Sequence, residues 1–181
     1  MNRVTKADLF RHNGLSGTMG FFKGLSIPGF RFIYVLRKVS QYNLLSVKGI
    51  FYRIIMRLFT YTGYQIHGEA KLGEGFYLYH IGTVIIGPVE IGKNCSVSHN
   101  VTIGRAYKDG ILGRPTLGDN VWIGPGVVIV GKIHIGNNVL LAPNSFVNFD
   151  VPDNSLVIGN PGKIIRKENP TKYYLNNVLP D

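Results

Sequence analysis

The sequence is poor in cysteine, in acidic residues and in long apolar runs. Cys95 is the only cysteine among 181 residues, so no internal disulfide can form, and no Cys/His cluster has the spacing of a zinc site. The most apolar stretches, near 32–36 and 50–60, are interrupted by arginine and lysine before they reach the roughly 20 residues that a membrane-crossing helix needs. The sequence therefore predicts no metal site and a cytoplasmic location.

Acidic residues are scarcest in the first third of the chain. Residues 1–60 contain ten lysine or arginine residues and one acid, Asp8, a balance of +9 that leaves +1 for residues 61–181. Such a segment suits an anionic membrane surface, an acidic ligand or a solvated helix face. No zinc-finger spacing, RNA-binding strand signature or basic heptad array accompanies the charge, so nucleic acid is not an expected partner.

Apolar residues in this basic segment recur at helical spacing. Ile50, Ile54, Leu58 and Tyr61 share one stripe, which we expect to pack against the rest of the protein. Similar patterns predict helices near 31–42 and 6–12. Residues 1–62 are therefore expected to form a basic α-helical N-terminal segment.

The rest of the chain is organised by a six-residue repeat. Allowing one inserted residue before position 85 and a longer loop before position 117, an aliphatic residue occupies every sixth position: Ile66, Leu72, Leu78, Ile85, Ile91, Val97, Ile103, Leu117, Ile123, Ile129, Ile135, Leu141 and Val147. Neither a helix, with its 3.6-residue period, nor a simple strand, with its alternation, produces this column. Short strands joined by tight turns produce it, because each hexapeptide can form one side of a triangular coil with its aliphatic side chain inward. The thirteen hexapeptides amount to a little over four coils.

Residues 60–167 resemble the hexapeptide-repeat acyltransferases. The likeness rests on the repeat, on the single loop that interrupts it, and on the closing segment 158–163, where Gly162 stands in place of the family's alanine. The segments 76–86 and 97–104 are similar to the serine acetyltransferase branch, and especially to its polysaccharide-modifying relatives, such as the colanic acid biosynthesis acetyltransferase.

This resemblance implies a mainly β fold, a left-handed parallel β-helix, that follows the helical segment. We expect the β-helix over residues 63–167, with a loop at 105–116, and a C-terminal tail over residues 168–181. The resemblance also implies a homotrimer with active sites between subunits.

The same resemblance implies acetyl transfer from acetyl-CoA to a hydroxyl group, without a metal. His80 matches the catalytic histidine of the branch and is the expected general base, and His99 is a second candidate for catalysis or a surface residue. Gln65 stands where the branch has an aspartate, so it is expected to orient His80 without supplying charge. The residues expected to bind coenzyme A are Arg105, Ala106, Gly124, Pro125, Ala142, Pro143 and Lys163, and those expected to bind the acceptor are Tyr79 and Arg114.

Three departures from the serine-specific pattern direct the expectation about the acceptor. Gln65 and Tyr79 replace aspartates, and Arg114 replaces a histidine. We therefore expect a sugar or polysaccharide precursor as acceptor, with serine as the alternative. A basic segment with an apolar stripe would also allow peripheral contact with an anionic inner membrane surface. A purely structural β-helix and a carbonic-anhydrase-like enzyme are further possibilities, the latter without an obvious third zinc-binding histidine.

Overall fold

The N-terminal segment is helical, as predicted. The computed structural model of the protein describes residues 1–108 and 110–178, except the side chains of residues 60 and 108. The helices are α1 (Arg3–Phe10), α2 (Gly17–Leu25), α3 (Pro28–Gln41) and α4 (Val47–Leu58), followed by a 3₁₀ turn at Phe59–Thr62. In the described part of the chain, no helix is long and apolar enough to cross a membrane. Residue 109 of the expected loop and residues 179–181 of the expected tail lie outside the described residues.

Helix α2 is not anticipated by the sequence pattern. It contains Gly17, Gly20 and Gly24, and glycine has a low helix propensity. Gly24 is needed for close packing, because a Cβ atom there would lie 2.6 Å from a methyl carbon of Leu9 in α1. Tertiary contact with α1 and α3, rather than local preference, therefore forms this helix.

The strands wind as a parallel β-helix with three faces, which we name sheets A, B and C. Sheet A contains β1 (Tyr64–Ile66), β4 (Val84–Ile86), β7 (Val101–Gly104), β12 (Val128–Val130) and β15 (Phe146–Val147). Sheet B contains β2 (Lys71–Leu72), β5 (Glu90–Ile91), β10 (Thr116–Leu117) and β13 (His134–Ile135). Sheet C contains β3 (Tyr77–Leu78), β6 (Ser96–Val97), β11 (Trp122–Ile123), β14 (Val139–Leu141), β16 (Ser155–Ile158) and the antiparallel β17 (Lys163–Arg166). Outside these faces, β8 (Ala106–Lys108) and β9 (Ile111–Gly113) form an antiparallel pair.

Inward side chains form one stacked column on each sheet. The columns are Ile66, Ile86, Ile103, Ile129 and Val147 on sheet A; Leu72, Ile91, Leu117, Ile135 and Val151 on sheet B; and Leu78, Val97, Ile123, Leu141 and Val157 on sheet C. The parallel register places each aliphatic side chain beside the next, so stacking creates the core. The columns extend into a fifth turn, beyond Val147, where the repeat was expected to end.

One position of the predicted column is wrong. Ile85 is 39% exposed, whereas Ile86 is 1% exposed and pairs in register with Ile103. Seven residues (79–85) therefore separate the inward Leu78 from the inward Ile86, against five (98–102) between Val97 and Ile103 one turn later. At the following corner only four residues (87–90) separate Ile86 from Ile91. The single insertion seen in the sequence is thus two residues gained at one corner and one lost at the next.

An ion pair between the buried Asp8 and the partly exposed Arg37 fixes the helices to the first turn of the β-helix. Asp8 in α1 is 2% exposed and receives a bidentate contact from Arg37 in α3. Its carboxylate also accepts the backbone N–H groups of Gly75 (2.9 Å) and Phe76 (3.1 Å). Arg37 donates to the carbonyl of Leu72 (3.0 Å) as well. Losing Arg37 would leave the buried carboxylate of Asp8 without its cation, so this contact sets how α1 and α3 sit on the solenoid.

Part of the basic charge lies inside the protein. Arg11 is 4% exposed, donates from Nη2 to Oγ of Ser96 (2.6 Å) and lies 5.8 Å from the centre of the Tyr77 ring. His12 is 3% exposed, and its ring centre is 4.4 Å from that of Tyr77. The charge count therefore overstates how cationic the surface of this segment is.

The apolar stripe of α4 does not pack against the rest of the chain, contrary to expectation. Tyr52, Ile55 and Met56 on the other side of α4 are the residues that are half-buried against the core. The stripe consists of Val47 (85% exposed), Ile50 (48%), Phe51 (56%), Ile54 (57%), Leu58 (66%) and Tyr61 (64%). The pattern correctly indicated an amphipathic helix, but it assigned the wrong face to the core.

The corrected register predicts a large difference between two adjacent isoleucines. Replacing Ile86 with alanine removes buried methyl groups and should lower the free energy of unfolding by about 2 to 4 kcal/mol. The matched change Ile85→Ala should lower it by less than about 1 kcal/mol. Urea denaturation of the two variants measures both values, and equal losses would contradict the assigned register.

The burial of His12 predicts a loss of stability in mild acid. Desolvation, with a further contribution from Arg11, lowers the pKa of His12 to about 4 from the ordinary value of 6.5. The unfolded chain takes up a proton below pH 6.5 that the folded chain rejects, so stability is complete above that pH and falls as the pH approaches 4. At a pH of about 5 the loss amounts to about 2 kcal/mol.

The variant His12→Phe isolates this contribution from that of other groups. It keeps an aromatic ring against Tyr77 and Phe30 but has no proton to gain. Urea denaturation at neutral pH and near pH 5 should show a smaller drop in stability for the variant than for the wild type. The same drop in both proteins would show that His12 does not cause the acid sensitivity.

Candidate active site

His80 and His99 lie on one edge of the solenoid, at successive turns. Each occupies the corner that leads from sheet C to sheet A, after β3 and β6 respectively. Their ring centres are 5.9 Å apart, with the ring planes at 67°. His80 is exposed and His99 is half-buried. The structure therefore brings together the two histidines that the sequence singled out, in positions where one bound molecule can touch both.

The same edge continues through the corners expected to bind coenzyme A. These corners follow β11 and β14, one and two turns beyond His99. The Gly126 N–H donates to the His99 carbonyl (3.1 Å), and the Asn144 N–H donates to the Pro125 carbonyl (2.9 Å). We name this edge the corner row; it contains His80, His99, Gly124, Pro125, Ala142 and Pro143.

Stacking alone accounts for glycine at position 124 of the corner row. A Cβ atom there would lie 2.9 Å from the Leu141 carbonyl oxygen of the next turn. Pro125 is half-buried and Pro143 is exposed, so these corners present short, flat side chains to solvent. Lys163, the last residue of the expected coenzyme A set, is exposed at the start of β17, at the far end of sheet C.

Tyr64 holds the His80 corner from the inside. Its side chain is 5% exposed, and its hydroxyl donates to the His80 carbonyl oxygen (3.0 Å). Burial raises the pKa of Tyr64 to about 12, so the phenol remains a donor at neutral pH. Sequence reasoning missed Tyr64, because the strand pairing that places it beside the His80 corner is visible only in the structure.

Gln65 points away from the core of the same strand. Tyr64 and Ile66 are the more buried residues of β1, whereas Gln65 is exposed beside Ile85. It lines a groove of about 390 Å³ on the outside of sheet A, together with Phe59. Within the described residues no hydrogen bond joins Gln65 to the His80 ring, so its orienting role stays a prediction.

The Tyr79 hydroxyl is engaged within the chain. It accepts a hydrogen bond from Nε1 of Trp122 (3.2 Å) and donates to the Tyr174 carbonyl (2.9 Å). The rings of Trp122 and Tyr174 also pack together, 4.6 Å between centres. The C-terminal tail thus folds back over sheet C next to His80, and the hydroxyl proton of Tyr79 is already used.

The loop that interrupts the repeat leaves the solenoid from another edge. It connects β7 of sheet A to β10 of sheet B, whereas His80 lies between sheets C and A. Arg114 is exposed and donates to the Pro88 carbonyl at 3.4 Å, on the loop's own edge. Arg105 is exposed and Ala106 half-buried at the start of the loop. A single chain therefore places these three residues on a different edge from His80.

Comparison with known proteins gives one family match and several named relatives. Residues 114–148 match the family model of the bacterial transferase hexapeptide (six repeats). The serine acetyltransferase of Synechococcus elongatus is 35% identical to this chain over 143 residues, which cover 78% of this chain and 58% of that protein.

Solved structures of serine acetyltransferases have a similar fold. The enzyme from Neisseria gonorrhoeae in complex with serine gives a TM-score of 0.70 at 29% identity, covering 90% of this chain and 68% of that one. The enzyme from Brucella abortus in complex with coenzyme A gives a TM-score of 0.71 at 26% identity, covering 92% and 66%. These likenesses extend over the helical segment as well as the β-helix.

These relatives correct the expectation about the acceptor. They are named serine acetyltransferases, so a sugar or polysaccharide precursor as acceptor is wrong, and closeness to polysaccharide-modifying enzymes is not supported. Tyr79 was one ground for that expectation, and its hydroxyl is bound inside the chain.

The chain spans only 58% of the length of the Synechococcus relative. By fold and by sequence, it is a hexapeptide-repeat protein of the serine acetyltransferase branch.

Proposed function

We propose that the protein transfers an acetyl group from acetyl-CoA to the hydroxyl of serine. The observation that carries the proposal is the corner row, in which two neighbouring histidines are followed by small and flat corners on the same edge. Similar proteins have been solved with serine and with coenzyme A, which supports the choice of both substrates.

His80 is the general base of this reaction. Its exposed ring is accessible to a substrate, and the Tyr64 hydroxyl fixes its backbone. The imidazole takes the proton of the serine hydroxyl as the oxygen attacks the carbonyl carbon of the thioester. When the tetrahedral intermediate collapses, the C–S bond breaks and His80 returns the proton to the departing thiolate. The products are O-acetylserine and free coenzyme A.

His99 supplies a second polar group to the same edge of the solenoid. Its ring lies 5.9 Å from that of His80. Its Nδ1 atom is buried and has no hydrogen-bond partner among the described residues. A buried polar atom without a partner is costly, so a bound substrate or a neighbouring subunit that satisfies it gains affinity. This position suits a residue that holds the acceptor or the developing oxyanion.

Coenzyme A lies extended along the corner row in this proposal. The pantetheine arm passes Pro125 and Pro143, where side chains are short, and the thioester end reaches the histidines. Lys163 is exposed beyond the last of these corners and suits the phosphate groups. Gly124 and Ala142 are buried at these corners, so their expected contact with the arm stays a prediction.

The complete site lies between two copies of the chain in a homotrimer. The loop and the corner row occupy different edges of a three-sided solenoid. A three-fold arrangement brings the loop edge of one copy to the corner row of the next. Arg105, Ala106 and Arg114 would then approach His80 of the neighbouring subunit.

Thiol release from acetyl-CoA tests the proposed reaction. We expect release by the purified protein to depend on L-serine, and His80→Asn to lower kcat roughly 100-fold or more while leaving coenzyme A binding largely intact. His134→Asn is the matched control, because His134 is an exposed histidine on sheet B, away from the corner row. Wild-type kcat in His80→Asn would transfer the role of base to His99. A folded protein that releases no thiol with serine would contradict serine as the acceptor.

A further inference from the structure

The stripe on α4 is an exposed apolar surface that the proposed reaction does not use. Five of its six residues, from Val47 to Leu58, lie on one side of α4, and Tyr61 follows in the 3₁₀ turn; all six are exposed. Leu44 (60% exposed) and Leu45 (83%) extend it at the N-terminal end of the helix. Apolar surface that is this continuous on one helix marks a contact with something outside the chain.

Positive charge borders the stripe on both sides. Taking about 100° of rotation per residue, Lys48 lies about 100° from the centre of the stripe in one direction and Arg57 about 80° in the other. Both are exposed. No aspartate or glutamate occurs between Asp8 and Glu69 in the sequence, so the charge carried by α4 and the chain that flanks it is of one sign.

We propose that α4 docks the protein on a membrane surface that contains anionic lipids. The helix lies in the plane of the interface, with Phe51, Ile54 and Leu58 in the outer acyl region and Lys48 and Arg57 among the headgroups. An apolar face between two rows of cations is the arrangement that such helices use. Each cation near the surface adds to the attraction for anionic lipid.

Charge favours lipid over a two-fold contact between the stripes of two copies as the occupant of this face. In a two-fold contact each stripe would meet another stripe, and Lys48 and Arg57 of one copy would approach the same cations of the other. The surrounding segment offers no carboxylate to compensate them. Anionic headgroups provide the missing charge. The proposal concerns a surface outside the corner row and does not depend on the identity of the acceptor, although the stripe ends at Tyr61, next to Thr62, whose carbonyl accepts the Gly82 N–H of the His80 corner (3.1 Å).

Vesicle flotation of the full-length protein tests the proposal. We expect binding to vesicles of phosphatidylcholine with phosphatidylglycerol, weaker binding in high salt, and little binding to phosphatidylcholine alone. The double variant Ile54→Gln/Leu58→Gln should bind the anionic vesicles at least about tenfold more weakly. The control Ile164→Gln/Ile165→Gln changes two exposed isoleucines of β17, at the other end of the solenoid, and should bind like the wild type.

A charge variant gives an independent readout if the stripe variant is unstable. Lys48→Gln/Arg57→Gln leaves the apolar face intact and should weaken binding roughly fivefold for each cation removed. Light scattering without lipid measures the mass of each variant. The proposal is overturned if the wild type ignores anionic vesicles, or if both variants bind them like the wild type. It is also overturned if the stripe variant merely lowers the mass of the assembly, because the occupant is then a second copy.

Discussion

In-register stacking of successive turns is the constraint on which the rest of the structure depends. Each strand hydrogen-bonds to the strand one turn away, as in the series Ile66, Ile86, Ile103 and Ile129 on sheet A. A change in the length of a strand would shift the column and expose its aliphatic side chains. Extra residues can therefore be accommodated only at the corners, where they project into solvent. The corners are the places where this fold can vary its chemistry.

The candidate site follows from this constraint. The corner that holds His80 is two residues longer than its equivalent in the next turn, and its surplus forms the exposed loop that carries the histidine. Tyr64, from the turn's own sheet A strand, supplies the hydrogen bond that fixes this longer corner. His99 lies beside His80 because the next turn repeats the corner one strand spacing away. Regular stacking and one local irregularity together produce the pair of histidines.

The six-residue period of the sequence was sufficient to predict the architecture. It was insufficient for features that depend on how the turns and sheets pack against one another. The six-residue column predicted the β-helix and the loop, because both depend on local spacing, whereas both histidines were expected from the family resemblance. It misplaced Ile85, because a gain of two residues and a loss of one at neighbouring corners appear as a single insertion. Tyr64 went unnoticed because only the folded corner brings its hydroxyl to the His80 carbonyl. The separation of Arg114 from His80 likewise depends on which edge the loop leaves.

Two further errors have one physical cause. The spacing and type of residues in a sequence do not show which surface each side chain contacts. The apolar stripe of α4 had the period of a buried face, yet Tyr52, Ile55 and Met56 are the residues of α4 that pack against the core. The residue type at position 79 suggested a changed acceptor, whereas the tail at Tyr174 binds its hydroxyl. In both cases the partner, rather than the residue, decides the role.

Imidazole NMR of the full-length protein during addition of coenzyme A tests the central claim most directly, namely that the corner row is the acyl-donor site. The five histidine signals can be assigned with His→Gln variants. The account predicts that the signals of His80 and His99 shift together on saturation, while those of the buried His12 and of His67 on the groove side stay in place. Saturable binding of coenzyme A that leaves His80 and His99 unmoved would contradict it.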